Sequence, residues 1–419
     1  MTILNPNYIY INNSFKENIA VAFNEKIEAI DSVEELKVKY PNAKVIDGGE
    51  NSVLYAGFIN THVHLEFSAN KTTLQYGNFM PWLDSVIANR DELINMCDNT
   101  LIGKACEEML SSGVTTFGAV SSFGLELEAC EKAPQKVIFF NELIGSNMAF
   151  VDALYNDFLI RVRASQDASK NGIIPAIAIH SPYSVHPVVL KKALEVAKEE
   201  NLKVSAHFLE SQAEREWLED ESGEFLEFFK KYFNTTKPVT TIDEFMQNFD
   251  GIPTHFTHAV QANDKEFEYL AKNGHSIAHC PRSNRLLGCG RLPIEKLNKL
   301  NIPFSVATDG LSSNNSLNIF DELRSALMMH HLGDLGKLSK LLINSITSTP
   351  AKIFNLNSGE IKEGKDADFA LIKLPSKPST LNDIALQTIL HTKRVDSVFI
   401  NGVYMSFNFN TFSNLLKDK

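Results

Sequence analysis

The sequence predicts an α/β protein: a (β/α)8 barrel of the TIM type, with a small sheet domain built from both chain ends. Three observations predict it. Short apolar runs alternate with helical stretches through the middle of the chain, and there are eight of them. Histidines and carboxylates fall at the ends of those runs. The two ends of the chain carry strand patterns instead. The expected division is residues 1–56 and 357–419 for the two parts of the sheet domain and 57–356 for the barrel.

In chain order, the N-terminal strands are YIYINNSF (8–15), NIAVAFNEKIEAI (18–30) and AKVIDGGENSVL (43–54), with Gly48, Gly49 and Asn51 as turn residues. The barrel strands begin near residues 57, 113, 136, 173, 203, 252, 274 and 302. They read GFINTHVH, GVTTFGAVSS, KVIFFNELIG, IIPAIAIHSPYS, KVSAHFLES, IPTHFTHAV, GHSIAHCPRSN and IPFSVATDG. Helical stretches such as VVLKKALEVAKEEN and NDKEFEYLAKNG precede several of them and end in Asn or Gly. An open doubly wound sheet is the alternative, and the absence of a glycine-rich phosphate fingerprint after the first strand counts against it. The C-terminal strands are DADFALIKL (366–374) and RVDSVFINGVYM (394–405), the latter turning at Asn401-Gly402.

Composition excludes several classes. Apolar residues make up 44% and charged residues 22%, as in an ordinary globular protein. A formal net charge of −11 argues against a nucleic-acid partner, which needs clustered Lys and Arg. Five cysteines at irregular spacing, with no Cys-x-x-Cys, suit a reducing compartment. No signal-peptide pattern and no membrane-length apolar run are visible, so a cytoplasmic location without membrane contact is expected. An acidic enzyme of this size is expected to be a homodimer.

The chemistry starts from His62 and His64. Side chains two apart on a strand share a face, so the two imidazoles project together. Neutral imidazole is a common ligand of divalent metals. An isolated His-x-His is as readily a hydrogen-bonded pair. What decides for a metal is the company at the strand ends: His180 on strand four, His207 and Glu210 on five, His258 on six, His279 on seven and Asp309 on eight. TIM-barrel active sites lie at the carboxyl ends of the strands. His62, His64, His207 and Asp309 make a ligand set for one divalent ion, zinc or ferrous iron. Such an ion lowers the pKa of a bound water toward about 7. Glu210 is the expected general acid, and His258 the group that hydrogen-bonds the attacking oxygen. Asp309 both binds the metal and accepts the water's proton. The set describes hydrolytic attack on an sp2 carbon. Against this, Glu210 opens an acidic run, ESQAEREWLEDESGE, of the kind that usually forms a solvated helix face. His255 is expected to be structural, and Met328 and Met329 to be core residues.

These motifs resemble the amidohydrolase superfamily, in its chlorohydrolase and aminohydrolase branch. GFINTHVHLE is similar to its first-strand motif and HFLE to its His-x-x-Glu. HFTHA and IAHCPRSN are similar to its sixth- and seventh-strand patterns. ATDGLSSNNSLNIFDELRSA resembles its eighth-strand aspartate followed by Asn-Asn-Ser. The resemblance spans nearly the whole chain. It implies a metal-dependent (β/α)8 barrel with a small β-sandwich domain built from both chain ends, and one metal, because strand four ends in His180 where binuclear relatives carry a bridging lysine. It implies a deaminase of an adenosine-type nucleoside with an extended 5′ side chain. Among these substrates, chain length and the loop TLQYGNFMPWLDSVIANRDEL favour 6-amino-6-deoxyfutalosine, an intermediate of the futalosine route to menaquinone. S-adenosylhomocysteine, methylthioadenosine, other aminopurines or pyrimidines, and chlorinated triazines are the alternatives. The resemblance also implies that His180 and His279 position the nucleoside and that Trp82 packs on its apolar part. Arg90 or Arg282 is expected to meet a substrate carboxylate, and Asp91 or Glu92 the ribose.

Overall fold

The structure is a computed structural model that describes residues 1–70 and 72–406. It contains two compact units. One comprises Met1–Thr61, Cys106–Phe117 and the described residues from Asn318 on; the other comprises His62–Ala105 and Gly118–Leu317.

The first unit holds an eight-stranded sheet to which both chain ends contribute. Five strands come from the N-terminal end: Thr2–Ile11, Ser14–Glu17, Ala20–Phe23, Ile27–Asp31 and Lys44–Ala56. Three come from the C-terminal end: Phe369–Lys373, Ser397–Ile400 and Val403–Met405. The seam is an antiparallel pairing of Lys44–Ala56 with Phe369–Lys373, in register from Ala56 opposite Phe369 to Ser52 opposite Lys373. Leu4, Ile9, Phe23, Leu54, Phe369 and Phe399 bury together against it. The last hairpin turns at Asn401 and Gly402, both with positive φ, as a two-residue turn requires. Between the fourth and fifth strands lies a helix, Val33–Lys39, that the strand reading passes over. Ser32 caps it by accepting the Glu35 N–H. Met328 is 71% exposed and Met329 half-buried, so the helix Ile319–Met329 ends with its methionines outside the core rather than in it.

Each of the eight predicted barrel runs contains a strand. The strands are Phe58–Val63, Val114–Ser121, Lys136–Leu143, Ile173–Ile179, Lys203–Phe208, Thr254–His258, Ser276–His279 and Phe304–Val306. They lie side by side in sequence order. Strands three to eight pair in parallel. After the eighth, the Asp309 N–H donates to the His62 carbonyl at 3.1 Å and ties the last strand to the first. Every residue of strands one and two is buried, as expected where both faces of a parallel sheet are covered. His255 sits inside, its two ring nitrogens engaged by Ser276 Oγ at 2.8 Å and Ser305 Oγ at 3.1 Å. All five cysteines are buried free thiols. Among the described residues, no helix is long and apolar enough to cross a membrane.

Candidate metal centre and active site

The strand ends bring six of the singled-out residues into one cluster. The His62 ring lies 4.8 Å from that of His64 and 4.9 Å from that of His207, centroid to centroid, edge to face in both cases. His64 and His207 stack, with their Nε2 atoms 3.2 Å apart. Asp309 Oδ1 lies 3.6 Å from His62 Nε2 and 3.8 Å from His64 Nε2. On the far side, His258 Nε2 stands 3.5 Å from Glu210 Oε1 and 4.0 Å from Asp309 Oδ2. Glu210 is 8% exposed, so it has left the solvated helix face that its acidic neighbours suggest.

The residues around this cluster hold its orientation. Asp309 Oδ2 accepts from Ser283 Oγ at 2.7 Å and Ser313 Oγ at 2.9 Å, and Oδ1 accepts the Gly310 N–H at 2.8 Å. Asn284 Oδ1 meets His258 Nδ1 at 2.8 Å. His207 Nδ1 meets the His180 carbonyl at 2.8 Å, which turns Nε2 toward His64 as a lone-pair donor. Leu209, His258, Ala259 and Asp309 all have positive φ. For residues with a Cβ this costs roughly 1–2 kcal/mol each, and such strain gathers at functional sites.

The donor set fits a cation. His62 Nε2 is buried and has no hydrogen-bond partner. Burial and the neighbouring imidazoles hold His207 well below the ordinary histidine range, and burial with His62 lowers His64. A shared proton between His64 and His207 is therefore disfavoured, and a metal ion answers the facing lone pairs. Burial opposes ionisation of Asp309, but the imidazoles of His62, His64 and His258 outweigh it and hold the carboxyl well below the usual range. Glu210 behaves oppositely. Burial, then the charges of Asp309 and Glu214, raise its carboxyl well above that range, which suits a proton donor. Burial pushes His258 down to about 4.

The remaining predicted residues are less convergent. His180 follows strand four, its ring 5.3 Å from that of His207 and its Nδ1 held by Ser184 Oγ at 2.5 Å and Ser181 Oγ at 3.1 Å. His279 is fully buried at the end of strand seven. Trp82, half-buried on the helix Phe79–Met96, donates from Nε1 to the Ser312 carbonyl at 2.7 Å. Arg282 hydrogen-bonds Asn315, in the loop after strand eight. Arg90 is exposed, with its guanidinium 4.9 Å from the Phe123 ring, and Asp91 and Glu92 are exposed beside it. Sequence reasoning missed Ser283, Asn284, Ser313 and Glu142. Glu142 is fully buried, accepts Ser122 Oγ at 2.6 Å, and lies 3.8 Å from His207 Nδ1. A glutamate near the carboxyl end of a barrel strand, KVIFFNEL, was the available signal.

The amidohydrolase family model matches residues 53–405. The chain belongs to the amidohydrolase family. Among amidohydrolases, it is 46% identical to the aminodeoxyfutalosine deaminase of a Nitratiruptor species, over 96% of this chain and 98% of the relative. It is 34% identical to an adenosine deaminase of Helicobacter pylori, over 92% and 94% of the two chains. A crystal structure of Helicobacter pylori aminofutalosine deaminase in complex with methylthio-coformycin superposes with a TM-score of 0.91 at 32% identity, covering 97% of this chain and all of that one. A zinc-bound adenosine deaminase from Xanthomonas campestris shares the fold at a TM-score of 0.80 and 20% identity.

Proposed function

We propose that this amidohydrolase hydrolyses 6-amino-6-deoxyfutalosine to futalosine and ammonia, in the futalosine route to menaquinone. The observation that carries the hydrolytic reading is the meeting of a raised carboxyl, Glu210, with His258 beside three imidazoles and Asp309. The similarity to the Nitratiruptor deaminase supports the substrate. In this reading His62, His64, His207 and Asp309 hold one divalent ion, zinc or ferrous iron. When bound, the ion supplies a Lewis acid that makes water nucleophilic near neutral pH. The chain's own groups do the rest. His258, oriented through Asn284, hydrogen-bonds the attacking oxygen. Glu210 carries a proton to the ring nitrogen beside the carbon that bears the amino group, and a proton then goes to the departing amine. Asp309 assists as proton acceptor. His180 and His279 orient the base, Trp82 packs on the apolar part of the substrate, and Arg282 or Arg90 meets its carboxylate. The protein works in the cytoplasm as a homodimer on a small nucleoside.

The test is ultraviolet absorbance of metal-loaded protein with 6-amino-6-deoxyfutalosine, which reads the change from adenine to hypoxanthine. Rapid conversion is expected, faster than for adenosine, 5′-deoxyadenosine or S-adenosylhomocysteine run alongside. No conversion with metal bound, or a clear preference for one of the other nucleosides, overturns the substrate.

A further inference from the structure

Glu210 leaves strand five through a residue that the backbone disfavours. Leu209 has φ +45° and is fully buried, so solvent does not help it into this conformation. Two partners hold it there. Its carbonyl accepts the Gln261 N–H at 2.9 Å, from the end of strand six. Its own N–H donates to Glu214 Oε1 at 3.0 Å, while the Glu210 N–H donates to Glu214 Oε2 at 2.8 Å. One carboxylate therefore spans two consecutive amides at the point where the chain turns into the site. Glu214 is 1% exposed and lies in the first turn of the helix Gln212–Asp220, where its own N–H is capped by Ser211 Oγ at 3.1 Å. The next residue completes the tie: Arg215 donates to the Gln261 carbonyl at 2.8 Å and bridges to Glu266 at 2.9 Å. Strand six ends in the same manner, with His258 and Ala259 left-handed and the Ala259 N–H on the Phe208 carbonyl at 2.8 Å. Glu210 and His258 thus ride on two laced left-handed turns.

We infer that Glu214 is a positioning residue for the reaction: its carboxylate clamps the Leu209 and Glu210 amides and so fixes where the Glu210 carboxyl stands against His258. A buried carboxylate beside Glu210 is an expensive way to fill space, because it disfavours ionisation of both groups. A hydrophobic side chain would pack there without that cost. What only the carboxylate supplies is two acceptor oxygens for two buried N–H groups. An error of about 1 Å in placing a reacting group costs on the order of a hundredfold in rate, so the clamp acts on turnover rather than on substrate affinity.

This inference rests on Glu210 acting in the proposed deamination, and Glu210→Gln is measured in parallel to separate the two. The variants are Glu214→Gln, which keeps one acceptor oxygen, and Glu214→Ala, which keeps none. The readouts are kcat and KM per metal-loaded enzyme, bound metal, and hydrogen exchange at the Leu209 and Glu210 amides. We expect kcat to fall about tenfold for the glutamine and about a hundredfold for the alanine. KM is expected to stay within about threefold, metal to be retained, and exchange at the two amides to rise. Partial rescue by glutamine is part of the expectation. If Glu214→Gln melts earlier but turns over like the wild type, the role is structural and the inference fails. Loss of metal in both variants overturns it too. If Glu210→Gln itself stays active, the role given to Glu210 fails, and the inference with it.

Discussion

Replacing Gly310 by alanine tests whether His64 and Asp309 belong to one metal site. Gly310 follows Asp309 directly, and its backbone is not in the left-handed region, so an alanine there meets only a steric problem. A methyl group at 310 would stand 2.9 Å from His64 Cβ and 2.9 Å from the His64 carbonyl oxygen. Carbon atoms pack at about 3.5–4.0 Å, so the two segments must part by roughly 0.6 Å or more. Neither obstacle is the far end of a flexible side chain. The displacement therefore passes into His64 and Asp309, whose Nε2 and Oδ1 now stand 3.8 Å apart. Metal–ligand distances tolerate only about 0.2 Å, and disturbing the groups that orient ligands costs about 10–100-fold in metal affinity or activity. The expected result for Gly310→Ala is that much loss in affinity for zinc or ferrous iron. It is measured as metal content after equilibration at graded free-metal concentrations. A folded variant that binds metal as the wild type does, with turnover within about threefold, would refute the shared site.

Three further expectations follow from the same geometry. Glu210→Gln should lower kcat by about 10²–10⁴ with metal still bound; a variant within about tenfold of wild type removes Glu210 from proton transfer. Removing the metal with a chelator should abolish deamination and lower the melting temperature, both restored by adding zinc or ferrous iron; unchanged activity in demonstrably metal-free protein contradicts the metal centre. His275 gives a pH dependence away from the site. Burial lowers its imidazole to about 4, and its neutral Nδ1 accepts the Thr254 N–H at 3.2 Å. The unfolded chain takes up this proton below about 6.5. The contribution is therefore complete above pH 6.5 and is lost as the pH falls toward 4, by about 3 kcal/mol at most. His275→Phe should cost about 1–3 kcal/mol at pH 8, through the unpaired Thr254 N–H. Urea unfolding of the metal-free proteins should show that gap closing by pH 5, and a gap independent of pH would count against the assignment.

The clustered residues were legible because their signal is local and periodic. His62 and His64 lie two apart at the end of an apolar run, and each of the last five runs carried its own polar residue to the same rim. A parallel barrel places the carboxyl ends of its strands together whatever its loops do, so the strand count and the end positions define the site. That His258 rather than His255 enters it follows from strand position too: His255 turns inward to Ser276 and Ser305.

The hydrogen-bond partners of this cluster were not legible, because each joins residues far apart in the chain or across a turn. Ser283 reaches Asp309, Asn284 reaches His258 and Glu142 approaches His207 only once neighbouring strands are in register. Nor could the acidic run after strand five reveal that Glu210 and Glu214 are buried while Glu219 and Glu221 stay in water. The arginines depended on loop paths: Arg90 and Arg282 were equal on paper, and the fold leaves one exposed on a ring and pairs the other with Asn315. The sequence alone determined the barrel, the two-ended sheet and the gathering of histidines and carboxylates at the strand ends, since hydrophobic period and strand-end chemistry are properties of short segments. Tertiary structure decided burial, hydrogen-bond partners and strain at those residues, since these are set by atoms that only folding brings within hydrogen-bonding distance.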